Sequence, residues 1–295
     1  MQKKIGVLGP VLAFVVLAGS SPAWATPLPY TTGFESPSFT TGTINGQGGW
    51  TVYGSTSTVT TAAAHSGSQS LLFVPVAGDG NVVKNSTPLF DASGETPSIY
   101  VPAPASNYMA TDFWFRTVAT TSDTGLYVST SMGNPASVRN TWLGILDGTQ
   151  TAGGIAGDLY VEAYAVGASG NFIPSLSPAL AWGDWYHAII SEQYVNGANN
   201  DLVTYSVYDA TNALIWSTTI GSWENYYATC GTCEQAPGPV ISDRTGFGGS
   251  AGGQGIYIDD FSMTNVAAVP EPGTLALFGA GLGLLGFARR RRKAT

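Results

Sequence analysis

Short stretches of alternating polar and apolar residues, separated by turn residues, restrict the fold of this chain more than any other feature. The clearest is YMATDFWFRTV at residues 108–118, in which Phe113 and Phe115 share one face and Trp114 and Arg116 share the other. No long stretch between the two ends of the chain repeats apolar residues with the 3.6-residue period of a helix. The pattern predicts an all-β fold, an antiparallel β-sandwich.

The same pattern predicts further strands. They are expected at residues 30–35, 50–53, 59–64, 70–74, 81–84, 126–131, 141–146, 159–166, 185–195, 202–209, 213–220 and 255–264, and a Gly-rich turn at residues 45–49 is expected to lead into the second of them. The sequence His-Ser-Gly-Ser at residues 65–68 indicates a hairpin turn between two of them. Residues 226–253, rich in Gly, Pro, Cys and Ser, are expected to form one long loop or a pair of loops.

The amino terminus has the organisation of a secretory signal peptide. Two lysines are followed by the apolar residues 5–18 and by Ala-Trp-Ala at residues 23–25. An uncleaved membrane anchor is the alternative, but an apolar stretch of about 14 residues is shorter than the roughly 20 that span a bilayer. We therefore expect a signal helix within residues 1–25, which signal peptidase removes by cutting after Ala25.

The carboxyl-terminal tail, residues 269–295, has three consecutive parts. It begins with a stiff Pro-Glu-Pro sequence and continues with the uncharged residues 274–288, which predict a hydrophobic helix that is short for a transmembrane span. It ends in a basic cluster, which stays on the cytoplasmic side of a bilayer. The residues of the first and last parts are Pro270, Glu271, Pro272, Arg289, Arg290, Arg291 and Arg292.

This tail resembles a PEP-CTERM sorting signal. The resemblance implies that an exosortase-type membrane protease is a partner of the chain, and that the tail anchors it transiently in the inner membrane. It also implies delivery to the cell envelope, the outer surface or an exopolysaccharide matrix. Because it covers only the tail, the resemblance gives the destination of the preceding domain, residues 26–268, and not its activity. We call that domain the body.

The charge of the body excludes one class of partner. Seven of the 11 Lys and Arg residues lie in the two terminal segments, so the body keeps four bases against 18 of the 19 acids, a net charge near −14. Such a surface repels nucleic acid and anionic lipid, so no nucleic-acid partner is expected. A body of this length is sufficient for one all-β domain with a single core.

Several short sequences in the body together resemble a family of folds. They are GFE at residues 33–35, GGW at 48–50, AHSGSQSL at 64–71, WYH at 185–187, a hairpin that ends in Tyr-Asp, and YIDDF at 257–261. As a set they resemble the concanavalin A-like and laminin-G-like jelly rolls. The resemblance implies two antiparallel sheets packed face to face, with the first and last strands adjacent.

Glu35, Asp259 and Asp260 are the candidate metal ligands. If the first and last strands are neighbours, Glu35 lies near the two aspartates. Successive strand residues point to opposite faces, so only one aspartate is expected on the side of Glu35. In some jelly rolls, the resemblance implies, these positions hold a structural calcium ion, which prefers oxygen ligands. The alternative is that the three acids are solvated or cap turns.

Cys230 and Cys233 are the only cysteines, and export to an oxidising compartment favours a disulfide between them. A thioredoxin-like redox pair would need a helix after the second cysteine, but two prolines follow at 237 and 239. A zinc site would need two more ligands, whereas His65 and His187, the only histidines, show no paired spacing.

No catalytic motif stands out in the sequence. The body lacks the Glu-x-Asp-x-x-Glu strand common among hydrolases of the jelly-roll fold, and it lacks a Gly-x-Ser-x-Gly elbow, an HExxH helix and a P-loop. Hydrolysis of a glycosidic bond needs two placed carboxyl groups. Glu162 and Glu192 are the only pair of glutamates on the predicted mid-chain strands. Whether they share a face depends on strand order. We predict that the protein is not an enzyme.

Aromatic residues are the remaining candidates for ligand contact, because aromatic faces can cover the apolar faces of sugars. Most of the eight tryptophans are expected to pack in the core. Those near predicted loops or strand ends are Trp182, Trp185, Trp216 and Trp223. We expect a non-enzymatic surface or matrix protein with weak glycan binding. The alternatives are a carbohydrate-active enzyme on the same fold and a purely structural or adhesive protein.

Overall fold

A computed structural model of the protein describes residues 29–74, 80–85, 108–133, 141–166, 172–193, 201–223, 244–249 and 252–264. The predicted signal peptide, the sorting tail with its hydrophobic helix, and both cysteines lie outside these residues. In the described ranges, no helix has both the length and the apolar character needed to cross a membrane.

The described strands form two antiparallel sheets, of which the larger has nine strands. Its strand order is β14-β13-β12-β7-β16-β5-β4-β2, and β1 pairs with the second half of β16. In chain order these strands are β1 (Tyr30–Thr32), β2 (Gly42–Thr43), β4 (Thr56–Thr60), β5 (Ser70–Val74), β7 (Tyr108–Thr117), β12 (Trp185–Gln193), β13 (Leu202–Tyr208), β14 (Leu214–Gly221) and β16 (Ile256–Thr264).

The second sheet has seven of the described strands, in the order β11-β10-β9-β8-β15-β6-β3. They are β3 (Trp50–Tyr53), β6 (Gly80–Asn85), β8 (Tyr127–Gly133), β9 (Leu143–Asp147), β10 (Leu159–Val166), β11 (Phe172–Leu176) and β15 (Arg244–Gly249). Two single-turn 3-10 helices, Gln47–Gly49 and Gly148–Gln150, precede β3 and follow β9.

The core lies between the two sheets and is built from every second residue of the strands. On β7, Phe113 and Phe115 are fully buried in it, as the alternation predicts. Phe247 of β15 meets Phe113 from the opposite sheet, with ring centroids 5.1 Å apart in an edge-to-face arrangement. Burying a side chain of this size contributes about 1.5–3 kcal/mol.

The structure confirms the predicted antiparallel β-sandwich. It also places the first and last strands side by side, since β1 pairs with β16 through Tyr30–Met263 and Thr32–Phe261. The predicted hairpin around residues 65–68 is present as the pair β4 and β5.

One prediction is wrong. The segment 226–253, expected to be loop, contains β15, which lies between β8 and β6 inside the seven-stranded sheet. Three of its six residues are glycine, which has a low strand propensity, and Phe247 alone carries a large apolar side chain. Pairing on both edges, which no local pattern records, keeps this segment extended. The short strand β2 and the edge strand β11 were likewise not predicted.

Candidate functional site

The three candidate metal ligands do come together, around the turn between β4 and β5. We call Glu35, Asp259, Asp260 and the turn residues His65–Gln69 the carboxylate clamp. Glu35 Oε1 accepts hydrogen bonds from the backbone N–H groups of Ser68 and Gln69, both at 2.7 Å, and its Oε2 accepts from Ser68 Oγ at 2.9 Å. The carboxylate thereby holds one half of the turn.

The two aspartates hold the other half of the turn. Asp259 Oδ2 accepts from the N–H groups of His65 and Ser66, at 2.8 and 3.1 Å. Asp260 pairs with the same two residues through side chains: Oδ2 lies 2.7 Å from His65 Nδ1, and Oδ1 accepts from Ser66 Oγ at 2.5 Å.

The expectation that only one aspartate would lie on the Glu35 side is therefore wrong. The pairing of β16 with β7 shifts register between Asp259 and Ser262, and Asp260 has a positive φ of 45°. A bulge of this kind interrupts the alternation of side chains, so consecutive aspartates can point to the same turn.

Burial and hydrogen bonding act on these acids in opposite directions. Burial raises the pKa of Asp259 to about 6, although three backbone N–H groups partly oppose the rise. Burial also acts to raise the pKa of Glu35, but the hydrogen bonds from Ser68 and Gln69 outweigh it and hold this pKa below its usual value. Nearby Asp260 repels the Glu35 charge.

The donor chemistry of the clamp suits calcium, because all of its acidic ligands are carboxylate oxygens. Each of the six oxygens, however, already accepts a hydrogen bond. Among the described residues, no group of three or more His, Cys, Asp or Glu side chains has the arrangement of a metal site. Calcium binding at Glu35, Asp259 and Asp260 thus stays a prediction.

A second feature is a pocket of about 280 Å³ lined by five aromatic residues, which we call the aromatic pocket. Trp142 and Tyr164 meet edge to face at 4.5 Å between ring centroids, and Phe172 contacts Trp223 at 4.8 Å. The fifth residue is Tyr127, 6.1 Å from Trp142. Phe172 keeps 42% of its surface exposed, so the pocket opens to solvent.

Strand alternation places this pocket on the outer face of the seven-stranded sheet. On β10, Val161 and Ala163 belong to the core, so Glu162 and Tyr164 point away from it. Gly144 of β9 lies opposite Glu162, and a side chain at this position would overlap the Trp142 ring. The glycine therefore lets Trp142 lie close against the sheet.

Glu162 is fully buried beside the aromatic pocket. Its Oε1 accepts a hydrogen bond from Thr151 Oγ1 at 2.5 Å, whereas Oε2 has no hydrogen-bond partner among the described residues. Burial raises the pKa of Glu162, and the hydroxyls of Thr151 and Tyr164 only partly oppose this. Burial, and then the nearby Glu162 charge, raise the pKa of Tyr164 to about 12.

Glu192 does not join Glu162. It lies on β12 of the other sheet and shares a face with the core residues Ala188 and Ile190. Its charge adds to burial in raising the pKa of the core residue Tyr205. The two glutamates therefore occupy different sheets and different faces, and they do not form the carboxyl pair of a glycosidase.

The four predicted tryptophans have different positions. Trp223 lines the aromatic pocket, and its Nε1 donates to the Tyr164 carbonyl at 3.0 Å. Trp182 packs against the core and donates to the Gly157 carbonyl at 2.8 Å, and Trp216 also packs against the core. Trp185 lines a different pocket on the nine-stranded sheet.

Sequence reasoning missed the other four members of the aromatic pocket. Tyr127, Trp142 and Tyr164 lie on or beside strands, where aromatic residues are common and usually mean packing. Phe172 belongs to the strand β11 that was not predicted. The available signal was the position of Tyr164, which alternates with core residues and so had to face outward.

Comparison with known families confirms the predicted sorting signal in the carboxyl-terminal tail. Residues 268–293 match the PEP-CTERM protein-sorting motif, so the chain carries this signal. The motif marks an exported protein that is anchored to the membrane at its carboxyl terminus before sorting. No curated protein matches the chain as a whole.

Solved structures that align with this chain include proteins of different activities. A carbohydrate esterase from a Shiga toxin-encoding bacteriophage is 11% identical, with a TM-score of 0.41, covering 77% of this chain and 97% of its own. Lectin II from Ulex europaeus is 13% identical (TM-score 0.38; 76% and 95% covered). An alginate lyase from Alteromonas is 12% identical (TM-score 0.33; 78% and 75% covered). These scores are too low to transfer any of the activities.

Proposed function

We propose that the protein is an exported surface or matrix component whose body binds saccharide in the aromatic pocket without chemical turnover. The observation that carries this proposal is the cluster of five aromatic rings around one solvent-open pocket. Aromatic faces bury the apolar CH surfaces of sugars, and the rings hold fixed relative orientations through their mutual contacts. The sorting motif supports a location where polysaccharide is available.

Polar groups beside the rings support saccharide over a purely apolar ligand. Tyr164 lines the pocket, and its hydroxyl interacts with the buried Glu162 on the same face. Binding sites for small ligands typically combine mostly apolar walls with a few placed polar groups. A sugar ring presents both kinds of surface.

The test compares Trp223→Ala with Trp216→Phe in a glycan array and in native gels that contain polysaccharide. Removing Trp223 deletes one wall of the pocket and should weaken binding about tenfold, or roughly 1.4 kcal/mol. Trp216→Phe, which changes a tryptophan that packs on the core, should bind like the wild type. Equal binding by the two variants would refute the pocket as the site.

A carbohydrate-active enzyme is the second candidate, and Glu162 is the residue that favours it. A buried carboxyl with a raised pKa beside an open pocket has the properties of a general acid. Its expected partner Glu192 lies in the other sheet, which favours binding without hydrolysis. If the wild type releases reducing sugar and Glu162→Gln abolishes that release with the fold intact, the enzyme is the correct assignment.

Processing of the tail is proposed from the motif alone. An exosortase-type protease should remove the apolar and basic segment after export, and signal peptidase should cut after Ala25. Mass spectrometry of the mature protein is then expected to find no peptide from residues 274–295. Recovery of that segment on most secreted molecules would contradict exosortase processing.

A further inference from the structure

A second pocket, of about 530 Å³, lies on the outer face of the nine-stranded sheet, where β7 ends and β12 begins. Arg116 and Trp185 are direct neighbours across these two strands, on the face opposite the core. Asp184, Asp209 and Thr211 line the pocket with them. Neither the sorting motif nor the aromatic pocket accounts for this group.

Arg116 lacks the partners that a partly buried guanidinium normally has. Its Nε is buried without a hydrogen-bond partner among the described residues, and no described acid forms an ion pair with it. A buried donor without a partner carries a desolvation cost that a ligand acceptor can remove. In a body with only four bases, this unpaired arginine at a pocket wall is a specific feature.

Asp209 and Thr211 contribute acceptors held in a rigid turn between β13 and β14. Asp209 Oδ1 accepts from Thr211 Oγ1 at 2.7 Å and from the N–H groups of Thr211 and Ala213 at 2.8 and 2.9 Å. These bonds, the Thr211 hydroxyl first, lower the pKa of Asp209 and keep it ionised. Because the Thr211 hydroxyl donates to Asp209, its lone pairs remain available to accept from a ligand.

Trp185 supplies an aromatic wall whose position is fixed by its neighbours. Its ring meets His65 edge to face at 5.6 Å, and His65 stacks on Trp114 at 3.7 Å with the planes 11° apart. His65 is in turn paired with Asp260 of the carboxylate clamp. The ring is therefore held in place before any ligand arrives.

We propose that this second pocket binds a neutral sugar residue, which makes the body bivalent for polysaccharide. Sugar hydroxyls can accept from Arg116 and donate to Asp184 or Asp209, while Trp185 covers a CH face. Acidic sugars are disfavoured because the two aspartates repel them. The two pockets lie on the outer faces of opposite sheets, so one molecule can join two polysaccharide chains. The bivalence rests on the proposed function; the second pocket does not.

The experiment measures the number of sites on the purified protein. Cellohexaose, mannohexaose, xylohexaose and oligogalacturonate are titrated by calorimetry, and latex beads coated with each are tested for agglutination. The wild type should bind two molecules of a neutral hexasaccharide per chain and agglutinate its beads. Trp185→Ala should bind one and fail to agglutinate, while Trp216→Phe should match the wild type.

Asp184→Asn is a second variant that leaves the packing intact, because Asp184 is exposed. It should weaken the second site about threefold to tenfold, the effect of losing a hydrogen bond to a charged group in water. Thermal melting of each variant verifies that the fold is retained.

Binding by the variants distinguishes the aromatic pocket from the second pocket. Three results would each overturn the second pocket. The first is two binding sites that persist in Trp185→Ala and Asp184→Asn, and the second is a single wild-type site that only Trp223→Ala removes. The third is binding of oligogalacturonate alone. Unchanged binding in Trp223→Ala together with loss in Trp185→Ala would overturn the aromatic pocket instead and leave the second site standing. Failure of the wild type to bind any of the four would overturn both.

Discussion

The carboxylate clamp and the region of the aromatic pocket both bury carboxylates, but they satisfy them differently. In the clamp every carboxylate oxygen has a donor, and half of the donors are backbone N–H groups of one turn. Beside the aromatic pocket, one oxygen of Glu162 has no hydrogen-bond partner among the described residues. The clamp therefore has the properties of a structural element, whereas the carboxylate buried beside the aromatic pocket keeps an unsatisfied oxygen.

The pKa directions of Glu35 and Glu162 differ in the same way, although burial also raises the pKa of Asp259 within the clamp to about 6. The hydrogen bonds of the clamp hold the pKa of Glu35 low against burial, so the charged form is favoured there. Burial dominates at Glu162 and favours its neutral form. The pKa values of Glu35 and Glu162 therefore shift in opposite directions, because hydrogen-bond donors surround Glu35 and aromatic residues lie beside Glu162.

The largest effect is expected in the clamp, at Gly67. Its φ is +65°, and a side chain there would collide with the Glu35 carboxylate. Gly67→Ala should lower the free energy of unfolding by about 3 kcal/mol or more, through left-handed strain and loss of hydrogen bonds to Glu35. Urea denaturation measures this loss.

Two controls separate strain from collision at Gly67. Gly46 has a φ of +83° with open space around it, so Gly46→Ala should show only the strain, about 1–2 kcal/mol. Gly252 has neither constraint, and Gly252→Ala should leave the free energy of unfolding nearly unchanged. Equal losses at Gly67 and Gly46 would mean that Glu35 does not restrain the turn.

The next effect concerns the connection between the aromatic pocket and the core. The backbone N–H of Trp142 donates to the hydroxyl of Tyr205, a fully buried residue of β13, at 3.1 Å. Tyr205→Phe leaves this N–H without its acceptor and should cost about 1–3 kcal/mol in unfolding free energy. It should also weaken saccharide binding, because Trp142 lines the pocket. Tyr257→Phe, on the outer face of the same nine-stranded sheet, is the control and should change neither quantity.

If the carboxylate clamp binds calcium, it is a ligand site like the aromatic pocket and not only a structural element. A cation between Glu35 and Asp260 should stabilise the fold by mass action, by about 1.4 kcal/mol at tenfold excess over its dissociation constant. Thermal melting with calcium and with chelator tests this, and Glu35→Gln should remove the response while Glu162→Gln keeps it. A melting temperature indifferent to chelator would leave the clamp purely structural.

The smallest effect is a pH dependence at Glu162. Its pKa is raised in the folded state, so the stability it contributes is present at low pH and is lost as the pH rises through the raised value. The melting temperature of the wild type should therefore fall relative to Glu162→Gln between pH 4 and pH 7. Asp209→Asn should differ in its pH dependence from the wild type only below about pH 4, because the lowered pKa of Asp209 keeps its contribution intact above that pH. Parallel profiles for the wild type and Glu162→Gln would argue against a buried, partly neutral carboxyl.

The local sequence pattern was sufficient to predict most strands of the fold and some of the site residues. The alternation on β7 put Phe113 and Phe115 on one face and Trp114 and Arg116 on the other, as the structure has them, and most strands lie where the pattern predicted them. The short sequences around Glu35 and the two aspartates led to the clamp. Trp223 and Trp185 were named in advance, although nothing in the sequence assigned them to two different pockets.

The sequence by itself determined which face the residues of the regularly alternating strands take, and that the chain carries export and sorting signals, because a two-residue period and a targeting motif are local properties. Only the tertiary structure decided that Glu162 and Glu192 lie in different sheets, that glycine-rich β15 is an inner strand, and that a bulge turns both aspartates to one turn. Strand order and register depend on contacts between residues far apart in sequence, and the packing of two sheets fixes them together.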